Sequence, residues 1–203
     1  METVFSIVAF IIAIGAHEFF HAAAAYRLGD MTARDSGRLT LNPAAHVDLF
    51  GTLILPALLI LTRFPVVFGW AKPVPVNPAN FDSPRHGMMI TSIAGPMANF
   101  ILAVVFAGLL RLTAAGNLLP QSAGVFFLYC ILINVVIGLF NLIPVPPLDG
   151  SNILAGLLPL KAAVSYMKVS RYGFLILIAL LYLGVFERLI LPLAASIIKF
   201  LIG

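Results

Sequence analysis

The 203-residue chain is 61% apolar without counting its 16 glycines, and only 10% charged. An ordinary soluble domain is about 45–50% apolar with glycine included and about 25% charged, so a soluble globule is excluded and a bilayer is the solvent that fits. Twelve Lys and Arg against eight Asp and Glu give a net charge of +4, too small and scattered for a nucleic-acid footprint, and the single cysteine, Cys130, excludes an internal disulfide.

No repeat of 20–50 residues and no low-complexity tract interrupts the chain. The first apolar run, Val4 to Ala16, has no basic residue before it and is followed by His17, Glu18 and His21, which argues against a removable signal peptide. A helix over about 3–28 is long enough to span a hydrocarbon core of roughly 30 Å. Residues 29–48 are polar. Residues 49–62 are apolar but short and contain Pro56, a length that suits a re-entrant segment better than a crossing. The stretch Phe68–Val76, FGWAKPVPV, cannot be a helix interior and reads as a short extended loop. Helices follow over about 87–111 and 123–143, with prolines at 120, 144, 146 and 147 bounding the second. Two shorter apolar runs, about 172–186 and 189–202, complete the chain. The expected architecture is an all-α, polytopic membrane bundle in one domain, 1–203. It has about five spanning or partly spanning helices, a re-entrant segment, a core over about 1–155 and C-terminal helices over about 165–203.

The basic residues choose between topologies. If 49–62 does not span, then Arg27, Arg34, Arg38, Arg63, Lys72, Arg85, Lys161, Lys168 and Arg171 share one side, against Arg111 and Arg188 on the other, with Lys199 uncounted. If it does span, the bias collapses to six against five. Membrane proteins concentrate Lys and Arg on the cytoplasmic side, which favours the re-entrant reading and puts the amino terminus outside the cytoplasm.

His17-Glu18-Phe19-Phe20-His21 is an H-E-x-x-H pattern on a helix. Four residues advance a helix by little more than one turn, so both imidazoles project from one face and suit two zinc bonds. Glu18, beside the first ligand, can reach water on the metal without occupying a coordination position. Ionisable side chains inside an apolar helix point to function, although a polar patch at the helix end would have the same composition. A third ligand is needed, and Asp149, His46, Asp48, Asp82 and His86 are candidates. The re-entrant topology sends the helices before His21 and before Asp149 across in the same direction. That places both residues at similar depth and favours Asp149.

Taken together, HEFFH and the run Asn141–Gly150, NLIPVPPLDG, resemble the two defining motifs of the site-2 protease family of intramembrane zinc metallopeptidases. Ala94–Asn99, AGPMAN, is similar to the family's central-helix segment. Leu41–His46 and Gly69–Val76 resemble features of its small members, those without a PDZ or CBS domain. Phe20 stands where a small residue is frequent in the family, and Asn152 where a basic one is. The resemblance implies that His17, His21 and Asp149 hold one Zn2+ per chain and that Glu18 activates water. It also implies that Asn141 positions substrate.

Asn99 and Asn141 lie in apolar helices, where an amide needs partners. They can act as interhelical glue or hold the substrate backbone. Gly95-Pro96 reads as a packing feature. His46 reads as a support to the metal ligands or a headgroup-level residue. The loop containing Gly69, Trp70, Ala71, Lys72 and Pro73 can pair with an unwound substrate by strand addition or anchor at the interface. The expected activity is endoproteolysis of a membrane-spanning substrate near the cytoplasmic side of the cell membrane, with an accessory protein as a further partner. A transporter or metal-handling protein, or a non-proteolytic homologue that binds a partner, is the alternative.

Overall fold

A computed structural model describes residues 1–55, 58, 61–62, 72–116 and 120–203. Among these residues the regular structure is helical and no strand occurs. α1 (Glu2–Arg27) buries Ala9, Ala13, Ala16, His17, His21 and Ala25 along one face. Small residues on that face let neighbouring backbones approach closely, while Val4, Ile7, Val8 and Ile11 face outward as apolar residues suited to lipid. α1 ends where Gly29 takes φ 98°, a left-handed conformation that glycine reaches without strain. The Asp30 amide then folds back onto the Ala25 carbonyl at 2.9 Å.

α2 (Pro84–Gly116) and α3 (Gln121–Asn141) follow, then α4 (Asp149–Leu157), α5 (Leu160–Met167), α6 (Gly173–Tyr182) and α7 (Leu191–Ile202). α2 packs against α1, α3 and α4, and α3 packs against α1 and α7. The central core joins Ala103 and Ala107 of α2 to Ile131, Val135 and Leu139 of α3, with Ile190 and Ala194 closing it. Four stretches are long and apolar enough to cross a bilayer: Glu2–Arg27, Pro84–Thr113, Ser122–Asn141 and Leu160–Tyr182. The chain is a multi-pass helical membrane protein.

The sequence expectation differs from this architecture in two places. The proline-rich stretch after α3 reads as loop, yet it gives way at Asp149 to the short helix α4. Gly150 makes this possible, because a Cβ there would overlap the carbonyls of Leu142 and Ile143 at the end of α3. Further on, the helical path from Leu160 to Tyr182 starts about a dozen residues before the expected apolar run at 172. Lys161, Lys168 and Arg171 mask it in the sequence. Of the expected re-entrant stretch, Leu49–Ile54 forms a π-helical turn whose N-cap, Asp48, accepts from the Gly51 amide at 2.6 Å. Part of the remainder lies outside the described residues.

Candidate metal centre

α1 and α4 bring three side chains to one point. His17 Nε2 lies 3.0 Å from His21 Nε2 and 3.1 Å from Asp149 Oδ2, and His21 Nε2 lies 3.2 Å from the same carboxylate oxygen. Among the described residues this is the group of His, Cys and acidic side chains placed to share a metal ion. His46, Asp48, Asp82 and His86 do not belong to it.

The hydrogen bonds behind the rings decide what this triangle is. Asn99 Nδ2 donates to the Ala13 carbonyl at 3.0 Å, a group that can only accept, so Asn99 Oδ1 is the atom facing His17 Nδ1 at 2.7 Å. His17 Nδ1 therefore carries a proton. His21 Nδ1 faces the Thr91 carbonyl at 2.7 Å and must be the donor there too. A neutral ring with its proton on Nδ1 presents an unprotonated Nε2 to the other ring and to the carboxylate. Asp149 Oδ2 is buried and has no hydrogen-bond donor. With both rings neutral, three acceptors converge on one point, an arrangement that a metal cation satisfies. Ligands about 2.0–2.1 Å from a tetrahedral zinc are about 3.3–3.4 Å apart, close to the separations observed. The residues fit the metal.

The backbone of α2 shapes the pocket around the rings. Pro96 lacks the amide that would bond the Ser92 carbonyl and crowds that turn, next to where the Thr91 carbonyl turns to His21. A Cβ on Gly95 would overlap both imidazoles, so only glycine lets α2 lie flat against them. Asn152 Nδ2 donates to Ser92 Oγ at 3.1 Å and ties α4 to α2.

Glu18 stays out of the triangle. Its Oε2 accepts the Val74 amide at 3.0 Å. Asn141, the last residue of α3, is half-buried and donates to the Ile137 carbonyl at 3.1 Å. Lys72 and Pro73 are exposed at the start of the irregular stretch before Asn77. Gly69, Trp70 and Ala71 lie outside the described residues.

Asn99 and His46 have other partners in the structure. Asn99 does not face a substrate: it is fully buried, and its amide is engaged by His17, Ala13 and, at 3.0 Å, Asn134 Oδ1. His46 does not support the metal ligands by a hydrogen bond. Its Nε2 faces the Thr40 carbonyl at 3.0 Å and its own carbonyl accepts the Lys72 amide at 2.8 Å.

Sequence reasoning passed over Asn134 and Asp30. Asn134 is fully buried and donates to the Cys130 carbonyl at 2.8 Å; an amide inside an apolar run, two turns before Asn141, was the available signal. Asp30 follows a glycine and reads as a turn residue. Burial would raise its carboxyl, but bonds from Thr32, Asn77 and Asn80 outweigh that and hold it below its ordinary 3.8.

Residues 106–184 match peptidase family M50. The chain is also 40% identical over 179 residues to a Bacillus subtilis (strain 168) protein named "Putative zinc metalloprotease YwhC", covering 86% of this chain and 78% of that one. This chain belongs to the site-2 protease family, peptidase family M50. A Mycolicibacterium smegmatis protein named "Putative zinc metalloprotease Rip2" is 31% identical over 172 residues, 85% of this site-2 protease and 64% of the relative. A Mycobacterium tuberculosis (H37Rv) protein of the same name is 32% identical over 144 residues, 71% of this chain and 53% of the relative. The chain thus spans less than two thirds of the length of the Rip2 proteins. No solved structure matches it. As a site-2 protease the chain is a membrane metalloprotease and its metal is Zn2+.

Proposed function

We propose that this site-2 protease is an intramembrane endopeptidase that holds one zinc per chain on His17, His21 and Asp149 and hydrolyses a peptide bond in or near a transmembrane segment. The observation that carries this reading is the convergence of His17 Nε2, His21 Nε2 and Asp149 Oδ2 within 3.0–3.2 Å of one another. When bound, zinc supplies the Lewis acid that polarises the scissile carbonyl and acidifies water.

The chain's own residues do the rest. Asn99 and the Thr91 carbonyl fix the tautomers of the two histidines, which keeps both Nε2 lone pairs available. Glu18 takes a proton from the attacking water and returns it to the leaving amine, a role that its half-buried position beside His17 suits. Asn141 and the extended residues Lys72 and Pro73 steady the unwound substrate backbone. The Lys and Arg bias puts the site toward the cytoplasm, where water can reach it. The substrate is a membrane protein with a spanning segment, as regulated intramembrane proteolysis requires, and the protein works in the cell membrane.

The test is the zinc-loaded protein in lipid nanodiscs with a single-span substrate and Glu18→Gln as the control. Cleavage by the natural protein and none by Glu18→Gln at equal zinc content supports the reading. Metal flux without cleavage makes the protein a transporter, and binding without cleavage makes it a non-proteolytic homologue. Zinc stoichiometry unchanged in Asp149→Ala removes Asp149 from the ligand set.

A further inference from the structure

One polar arrangement near the centre is not used by the proposed chemistry. Asp30 lies just past the end of α1 and is 0% exposed. Its Oδ1 accepts the Thr32 amide at 3.1 Å, the Thr32 hydroxyl at 2.5 Å and Asn80 Nδ2 at 2.7 Å, while Oδ2 accepts the Asn77 amide at 2.7 Å. A carboxylate buried this completely needs such donors. Two of them come from a segment 47 and 50 residues further along the chain. Asp30 therefore ties the end of the metal-binding helix to the residues that close the stretch Lys72–Asn77.

That stretch is fixed at its other end as well, where the Lys72 amide donates to the His46 carbonyl at 2.8 Å. Between the two ties stand Pro73, Val74, Pro75 and Val76. Prolines have no amide proton, so Val74 and Val76 carry the backbone donors of these four residues. The Val74 amide is the one that meets Glu18 Oε2 at 3.0 Å. The strap is held from both ends, and between them the Val74 amide sits on the glutamate beside His17.

We propose that Asp30 is a positioning residue for Glu18: by holding Asn77 and Asn80 it keeps the strap at the height where the Val74 amide fixes one oxygen of the Glu18 carboxylate, leaving the other for proton transfer. The proposal rests on the role of Glu18 given above. A glutamate side chain has three rotatable bonds, and a general base must be aimed before it is effective. The alternating prolines supply that aim with one amide in place of a strand ladder, and Asp30 supplies the tension.

The experiment uses the full zinc-loaded protein in nanodiscs, with amide hydrogen exchange and steady-state cleavage measured on the same samples. Asp30→Asn keeps the shape of the side chain but presents an NH2 group toward the Asn77 amide. It should raise exchange at Val74, Val76 and Asn77 by about tenfold and lower kcat by about tenfold, with zinc content unchanged. Asn80→Ala, at an exposed position, removes one tie and should produce a smaller change in the same direction. Asp30→Asn combined with Asn80→Asp exchanges carboxylate and amide across the tie, and should recover most of both losses. Wild-type exchange at 74–77 in both single variants overturns the proposal. Loss of kcat without faster exchange there, or loss of zinc, overturns it as well, because Asp30 would then act by another route. If the natural protein cleaves nothing, the protease reading fails, while the exchange arm still decides whether Asp30 holds the strap on Glu18.

Discussion

Gly95 of α2 lies so close to His21 that a Cβ on it would overlap the imidazole, and would meet His17 Cε1 at 2.7 Å. The candidate metal centre is therefore built from two helices and the absence of a side chain on a third. α1 supplies the rings, α4 supplies the carboxylate, and α2 supplies a bare backbone that lies against the Nε2 and Cε1 atoms of the rings.

Gly95→Ala should displace one or both rings and weaken zinc binding by roughly tenfold or more, the range found when support of a ligand is lost. Competition with a chromogenic chelator measures it. Gly108→Ala is the control in the same helix: a Cβ there has nothing within 4 Å. The change should leave zinc affinity unaltered and raise stability slightly, since alanine is preferred to glycine in a helix by about 0.5–1 kcal/mol. Equal zinc affinity in the two variants would remove Gly95 from the account.

Asn99→Ala should affect both metal and fold. It strips the His17 Nδ1 proton of its acceptor and leaves the Ala13 carbonyl and Asn134 Oδ1 without their donor. Outer partners of ligating histidines are worth about 10–100-fold in metal affinity, and each buried group left unpaired costs about 1–3 kcal/mol. Zinc competition and thermal unfolding of the same sample should therefore move together. A loss of cleavage with unchanged zinc affinity and melting temperature would instead return Asn99 to the substrate.

Much of this centre was legible in the sequence because the charges are so few. His17, Glu18, His21 and Asp149 stand out against an apolar background, and the lengths of α1, α2 and α3 follow from uninterrupted hydropathy. The partners that aim them were harder to read. Asn99 and Asn134 hydrogen-bond to each other across α2 and α3, a pairing that no spacing within one helix reveals. The acceptor for His21 is the backbone carbonyl of Thr91, which any residue type at that position would also provide. Asp30 looks like the polar end of a turn because its donors are 47 and 50 residues away. Helix α4 was hidden by prolines before it and by the glycine that lets it dock.

Removing zinc should destabilise the protein beyond the loss of activity. Without a cation, His17 Nε2, His21 Nε2 and Asp149 Oδ2 present lone pairs to one another at 3.0–3.2 Å, so chelation must be followed by protonation or by separation of α1 and α4. A metal present at a thousand times its dissociation constant stabilises the native state by about 4.1 kcal/mol. The chelated protein should melt several degrees lower, and zinc should restore it. Asp149→Ala should show a smaller response to chelator. A melting temperature indifferent to zinc in the natural protein would mean that the triangle holds no metal.

Asp30 gives the fold an acid limit whose sign can be worked out. Its carboxyl is held below its ordinary 3.8 in the folded protein, burial opposing ionisation and the bonds from Thr32, Asn77 and Asn80 prevailing. A group with a depressed folded pKa binds its proton more readily when unfolded, so its contribution to stability is complete above the ordinary value and is lost as pH falls through the folded one. The strap should thus stay fastened across the neutral and mildly acidic range. It should loosen only below about pH 3.8, where protonated Asp30 presents a hydroxyl to donors that need an acceptor. Amide exchange at Asn77, corrected for its intrinsic pH dependence, should rise there in the natural protein. In Asp30→Asn it should be high already and free of that step. The same acid step in both proteins would assign it to a different carboxylate.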